Sequence, residues 1–376
     1  MLRSLFREFA EKEFTAELLD ELDKSGNFNR EIFEKMAESG FTGVKIPEEY
    51  GGQGGDSLAY VLMIEEFARL SAVLSVYANT SNSLGAGPLL ICGSEEQKRK
   101  YLPALANGEK ILVFGLTEPD AGSDSGGIRT TAVNDGDCYV LNGRKCFTSG
   151  APIADFTLVF ARTDQSQKGS RGISMFIVDM SLPGVSCGKP EQKMGIKGYP
   201  TSDVIMEDVR VPIDCLVGPL HDGYYTAMKT LDGGRLGMAA QAVGIAQGCL
   251  EQSVEFAKVR KQFGQPISNF QGVGFMLAEM AAEIEAARQL VYHTALMHDL
   301  SDPESTKLCS MSKYYAAEMC NRCAYKAVQI HGGYGYIKDY PVERYYRDAR
   351  ITTLYEGTSQ IQQIVILRAL LKSSFT

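Results

Sequence analysis

The stretch "CYVLNGRKCF", residues 138–147, places apolar Tyr139, Val140 and Leu141 before Asn142-Gly143, and Cys146 and Phe147 after it. Asn-Gly between apolar runs signals a two-residue hairpin, because both central turn residues must adopt positive φ. A hairpin turn at Asn142-Gly143 is therefore expected. Nearby, "DFTLVFARTD" (155–164), "GISMFIVDM" (172–180) and "SDVIMEDVRVP" (202–212) are short β-branched or aromatic runs bounded by turn residues. Residues 111–222 thus read as a small β domain.

The hydrophobic period changes on both sides of this zone. Residues 1–110 read as helices separated by glycine-rich breaks at "IPEEYGGQGGD" (46–56) and "NSLGAGPLL" (82–90). Long helical patterns return in "RLGMAAQAVGIAQGCLEQSVEFAKVR" (235–260), "FMLAEMAAEIEAARQLVYHTALMHDL" (275–300), "STKLCSMSKYYAAEMCNRCAYKAVQI" (305–330) and "TSQIQQIVILRALLK" (358–372). Four long helices with short connections predict a four-helix bundle over 223–376. The fold class is α+β, in the order helical, β, helical.

The 376 residues suffice for two or three domains. A net charge of −8, with no long Lys/Arg block, argues against nucleic acid as a partner. No stretch approaches the ~20 apolar residues that span a bilayer, and the N-terminus lacks a signal-peptide core. A soluble, cytoplasmic protein is expected. Nine cysteines are scattered, and the single Cys-x-x-Cys, Cys320 and Cys323, lies in a helical pattern without further ligands nearby. These read as reduced core thiols, and no metal site is expected. No Rossmann or P-loop glycine motif occurs.

"TLYEGTSQIQ" (353–362) sets Glu356 on a glycine joint just before a helix start at Thr358. Alone it reads as an exposed acid favoured by the helix dipole. Four further stretches change that reading: "GLTEPDAGSD" (115–124), "RKQFGQPI" (260–267), "QIHGGYGY" (329–336) and "YPVERYYRDAR" (340–350). Together with "YEGTSQIQ", in this order and at this spacing, they resemble the acyl-CoA dehydrogenase family over essentially the whole chain, most closely its short- and medium-chain, butyryl-CoA dehydrogenase/enoyl-CoA reductase-like members. The resemblance implies an N-terminal α-helical domain, a central β-barrel domain and a C-terminal four-helix bundle. It also implies non-covalent FAD and α,β-dehydrogenation of a short-chain or aryl-substituted acyl-CoA, with electrons passed to an electron-transfer flavoprotein. The same site run backward is an enoyl-CoA reductase. An oxygen-using oxidase is disfavoured, since the chain ends "KSSFT" with no peroxisomal tripeptide, and a non-catalytic CoA-binding scaffold is disfavoured by the intact Glu356.

The resemblance also assigns roles. Glu356 matches the base that removes the substrate α-proton, and Gly357 lets the backbone approach the thioester. The base position used by branched- and long-chain relatives falls here on Gly234. Phe114, Leu116, Thr117 and Ser123 match flavin contacts, Ser123 also lying beside the pantetheine path. Phe147, Thr148 and Ser149 match the segment against the flavin ring, with Phe147 in place of the customary Trp and Ser149 in place of the customary Thr. Thr358 and Gln360 fall near the FAD. Arg260, Phe263, Gln271, and Gln329, Ile330, His331, Gly332 and Gly333 match residues that reach the FAD of a neighbouring subunit. A homo-oligomer is therefore implied, a tetramer built as a dimer of dimers. Asp232 and Arg235 match a substrate-facing pair at the start of a bundle helix. Ser71 stands where a glutaryl-type enzyme carries an arginine, which disfavours a decarboxylating dehydrogenase.

Overall fold

The computed structural model describes residues 1–372; the final tripeptide considered above lies outside them. Seven helices open the chain: α1 (Leu2–Glu13), α2 (Ala16–Ser25), α3 (Arg30–Glu38), α4 (Ser57–Leu70), α5 (Ala72–Thr80), α6 (Ala86–Cys92) and α7 (Glu95–Ala106). The strands β1 (Leu112–Gly115), β2 (Thr131–Asn134), β3 (Cys138–Ser149), β4 (Phe156–Arg162), β5 (Ile173–Asp179), β6 (Val185–Cys187), β7 (Thr201–Pro212) and β8 (Leu216–Val217) follow. They form one eight-stranded sheet in the order β6-β7-β3-β2-β4-β5-β8, with β1 added parallel to β4. The last third comprises α8 (Gly223–Val259), the short ribbon β9 (Lys261–Gln262) and β10 (Gln265–Pro266), then α9 (Gln271–Asp299), α10 (Ser305–His331), α11 (Val342–Ala349) and α12 (Ser359–Leu370).

The hairpin expected at Asn142-Gly143 does not form. Residues 138–149 are one strand, and the Asn-Gly pair serves a bulge instead. The register between β3 and β7 shifts between Leu141 and Gly143, leaving an extra residue on β7 at Asp208, which has φ +50°. The Asn142 side chain caps that residue: Oδ1 accepts from the Asp208 amide at 2.8 Å and Nδ2 donates to its carboxylate at 2.9 Å. Gly143 is needed for close approach, since a Cβ there would lie 2.4 Å from Thr130 Oγ1. A second shift, between Lys145 and Thr148, puts Phe147 at φ +54° and turns its ring outward, 68% exposed.

"NSLGAGPLL" is likewise not a break. Residues Ser81–Gly85 form a π-helical turn that carries α5 into α6, the kind of distortion concentrated at functional sites. Pro88 is tolerated because it lies in the first turn of α6. At Gly85 a side chain would press on the carbonyl oxygens of Thr80 (2.8 Å) and Leu112 (2.9 Å).

The helix α8 is wholly or nearly buried along most of its length because it is wrapped by α4, α9 and α10. It starts at Gly223, earlier than the period suggested, so Asp232 and Arg235 lie in its third and fourth turns and not at its start; Asp222 occupies the N-cap position. Small residues let α4 pack closely: a Cβ at Gly244 would meet the Glu65 carbonyl at 2.3 Å, and one at Gly248 the Arg69 carbonyl at 2.2 Å. Across the top of α4, α1 is fastened by Arg7, which grips buried Glu66 in a two-pronged contact at 2.9 and 3.1 Å. No helix among the described residues is long and apolar enough to cross a membrane.

Candidate active site

Glu356 lies between α11 and α12, in a joint where two consecutive residues are left-handed, Glu356 at φ +51° and Gly357 at φ +93°. For the glutamate this costs about 1–3 kcal/mol and persists only where surrounding contacts over-determine it. Those contacts are present. The Gly357 carbonyl accepts from Lys313 Nζ at 2.7 Å and from Gln362 Nε2 at 2.9 Å, and Gln362 Nε2 also reaches the Glu356 carbonyl at 3.2 Å. Thr358 caps α12 by accepting from the Ile361 amide at 3.3 Å. Just upstream, Tyr355 donates its hydroxyl to Gln241, which is fully buried and itself held by Ala72 and Ser75.

The carboxylate points at α8. A Cβ on Gly234 would stand 2.1 Å from Glu356 Oε2, so the missing side chain at 234 is the space the carboxylate occupies. One turn further, a Cβ on Gly237 would meet the Tyr60 hydroxyl at 2.0 Å. The two glycines are three residues apart and share one helix face, so the base and the Tyr60 hydroxyl sit side by side along it. Glu356 Oε2 is sealed from solvent and has no hydrogen-bond partner. Burial raises its pKa to about 7, against the pull of Lys313 and Arg235. An unpartnered carboxyl with that pKa is suited to taking a proton from, or returning one to, a carbon acid in a dry site. Gly234→Ala is expected to displace the carboxylate and lower turnover at least about tenfold, since misplacement on the ångström scale costs up to about a hundredfold. Single-turnover kinetics beside an unchanged thermal midpoint would check this.

Asp232 and Arg235 are paired at 2.7 Å, and the second Asp232 oxygen accepts from Thr306 at 2.7 Å. Arg235 is buried and its Nε lacks a partner, so it retains a free donor for a ligand.

On the β domain, Leu116 and Thr117 follow β1, where Phe114 packs its ring on Phe160 at 4.8 Å. The β3 residue Cys146 donates its amide to the Thr117 carbonyl at 2.8 Å, bringing the 114–117 segment beside Phe147, Thr148 and Ser149. Beneath lies an ion pair absent from the sequence reading. Wholly buried Lys145 donates to Glu118 at 2.7 Å and to the Leu116 carbonyl at 3.3 Å, and Glu118 also accepts the amides of Arg129 (2.6 Å) and Thr130 (3.0 Å). Its only sequence signal was a basic pair, Arg144-Lys145, inside a strand, with nothing to say which of the two is buried. Three observations fit a flat, polar-edged cofactor here: the outward aromatic Phe147, the buried and unpartnered Thr148 hydroxyl, and the exposed Ser123 and Ser149.

A separate cavity of ≈ 410 Å³ opens at the far end of α8 and α10, lined by Arg260, Ile330, His331, Gly332 and Gly333 among others. His331 stacks on Phe256 at 4.3 Å and shares a hydrogen bond between Nδ1 and the Ala327 carbonyl at 2.8 Å, leaving Nε2 buried without a partner. Burial lowers its pKa, which favours the neutral ring. Arg260 lies over Tyr334 at 5.0 Å, and Phe263 is 93% exposed at φ +52°. The structure therefore gathers Arg260 and residues 330–333 in one place. Gln271 and Gln329 are exposed nearby in sequence, and Gln360 is exposed on the first turn of α12.

The chain matches the acyl-CoA dehydrogenase N-terminal domain over residues 1–109, the middle domain over 113–209 and the C-terminal domain over 221–371. It is 56% identical to the CarC subunit of the caffeyl-CoA reductase–Etf complex of Acetobacterium woodii, across 99% of this chain and 98% of that one. It is 52% identical to a 3-(aryl)acrylate reductase of Clostridium sporogenes, at the same coverage. The butyryl-CoA dehydrogenase structure from Megasphaera elsdenii superposes with a TM-score of 0.95 at 42% identity, covering 99% of this chain and 98% of that one. With all three domains matched in order along the chain, it belongs to the acyl-CoA dehydrogenase family, the FAD-dependent oxidoreductases that act on the α,β bond of acyl-CoA thioesters.

Proposed function

We propose that the protein interconverts an acyl-CoA and its trans-2-enoyl-CoA, working physiologically as a reductase of aryl-substituted enoyl-CoA fed by an electron-transfer flavoprotein. The observation that carries the reading is the sealed, partnerless Glu356 Oε2 in the gap left by Gly234. Phe114–Thr117 and Phe147–Ser149 would hold FAD, which when bound would supply the hydride chemistry at the β-carbon. Glu356 holds the proton exchanged at the α-carbon, and its amide N–H faces the thioester oxygen, where donors stabilise enolate-like charge. With a pKa of about 7 the carboxyl is partly protonated at neutral pH, as the reductive direction requires. Arg235 and Asp232 line the CoA side. In a homotetramer, Arg260, Phe263, Gln271 and residues 329–333 would hold the FAD of a neighbouring copy, and Thr358 and Gln360 would stand near the FAD. The cytoplasm is the working compartment.

The names of the two relatives at 56% and 52% identity support aryl substrates. Polar groups also stand along the same face of α8 beyond Glu356: the buried Tyr60 hydroxyl, bonded to Asn79, and the buried Ser83 on the π-turn. If the substrate tail runs along that face, these groups would suit an aromatic ring bearing polar substituents better than an alkyl chain.

The test is an anaerobic flavin titration. Dithionite-reduced protein mixed with cinnamoyl-, 4-hydroxycinnamoyl- or crotonyl-CoA is expected to recover oxidised-flavin absorbance at least tenfold faster with the aryl compounds. Equal rates, or preference for crotonyl-CoA, would instead support a short-chain dehydrogenase. Failure to take up any flavin would sink the catalytic reading altogether.

A further inference from the structure

We propose that Lys313 is a positioning residue for the reaction: one buried ammonium that both fixes the Glu356–Gly357 joint and biases the Glu356 carboxyl toward its charged form. The inference rests on the reading of Glu356 as the base. Lys313 sits on α10 with no exposed surface, and Nζ donates to the Gly357 carbonyl at 2.7 Å. Among the described residues it joins no ion pair within 4.0 Å, which is unusual for a lysine buried this completely. A buried cation needs a counter-charge or loses its proton. Burial brings Lys313 down to about 8, and the leading opposing influence is Glu356.

The groups around the base leave Lys313 in that role. From α8, Arg235 is already paired with Asp232 at 2.7 Å. From α4, Tyr60 is neutral, its ionisation suppressed by burial and then by Glu356 itself. Tyr355, next in the chain, is also held neutral by burial. On α10, Glu318 is bonded by the Ser359 hydroxyl at 2.6 Å. Gln362, from α12, shares the Gly357 carbonyl with Lys313 but carries no charge. The unpaired charge facing Glu356 is therefore that of Lys313. Two functions follow from one contact. Hydrogen bonding to the carbonyl holds the left-handed joint, and the charge sets how readily the carboxylate accepts a proton.

Two variants separate these functions. Lys313→Gln keeps a donor for the carbonyl and removes the charge, whereas Gln362→Ala removes a neutral donor and leaves the charge in place. Both would be purified as FAD-loaded protein, and kcat/KM for oxidation of 3-phenylpropionyl-CoA measured from pH 5.5 to 9.5. Lys313→Gln is expected to move the acid limb upward by at least one pH unit, a loss of about fivefold or more at pH 7 that approaches tenfold at lower pH and is recovered at alkaline pH. Gln362→Ala is expected to lower the whole profile without moving that limb. An unmoved limb in Lys313→Gln, or equal displacement in both variants, would overturn the proposal. If Glu356→Gln kept full turnover, the assignment of the base itself would have failed; if Glu356→Gln were inactive and the Lys313→Gln limb stayed in place, this inference alone would fall. Should Lys313→Gln fold without retaining flavin, the limb in Lys313→Arg decides: unmoved for a charge role, raised as in loss of charge for a merely steric one.

Discussion

Glu356→Gln is expected to lower turnover by about 10²–10⁴-fold in either direction, the range for removing a general acid or base, while bound FAD and the thermal midpoint stay nearly unchanged. The amide keeps the volume of the carboxyl, so the Gly234 gap stays filled and the left-handed joint keeps its contacts to Lys313 and Gln362. What is lost is the sealed carboxylate oxygen that, among the described residues, faces α8 without a partner at Gly234. The pH dependence of the unaltered protein follows with a definite sign. Oxidation of an acyl-CoA needs the ionised form, so kcat/KM should fall tenfold per unit below about pH 7. Reduction of an enoyl-CoA needs the protonated form, so its rate should fall as pH rises through the same value. Stopped-flow flavin absorbance in both directions checks this. Opposite slopes crossing near pH 7 are expected; parallel slopes would assign the limbs to some other group.

Glu356 stood out in the sequence only in company: "YEGTSQ" alone reads as an exposed acid beside a helix cap, and the four other stretches, in order and at their spacing, point to a role for it. The helical zones were legible for a similar reason. α10 occupies Ser305–His331 against a pattern read over 305–330, since a period of about 3.6 residues repeats often enough along it to fix its own ends. The errors arose where one local signal has two uses. Asn142-Gly143 satisfies a bulge as well as it satisfies a hairpin, and only the partner strand, with Asp208 at φ +50°, decides between them. "NSLGAG" contains two glycines, yet the chain stays helical through a π-turn because Gly85 is required by its neighbours' carbonyls and not by a turn. Lys313 and Lys145 were invisible for a different reason. Each is a charge within a helical or strand pattern, and its meaning comes from a contact 44 or 27 residues away in sequence. The site's supporting shell is tertiary, and periodicity does not report it.

Lys145 supplies the second large expected effect. Lys145→Met should destabilise the folded protein by about 3–5 kcal/mol, the cost of breaking a buried ion pair from one side. The mechanism is specific. Burial alone would raise the Glu118 carboxyl, but Lys145, together with the amides of Arg129 and Thr130, brings it below the usual range. Without the ammonium that carboxylate stays buried in the turn that carries Leu116 and Thr117, and the Leu116 carbonyl loses its donor. Flavin affinity should therefore fall together with stability, because this segment and the end of β3 are fastened through the same lysine. The double variant Lys145→Met/Glu118→Gln is expected to recover a large share of the lost stability, since replacing both partners removes the orphaned charge. Its flavin affinity should stay below that of the unaltered protein, because the Leu116 carbonyl still lacks its donor. Urea denaturation of the FAD-free proteins measures the first effect, and fluorescence titration with FAD the second. Additive losses in the double variant would show that the two side chains act independently, and that the pair is not what holds the flavin-facing loop to β3.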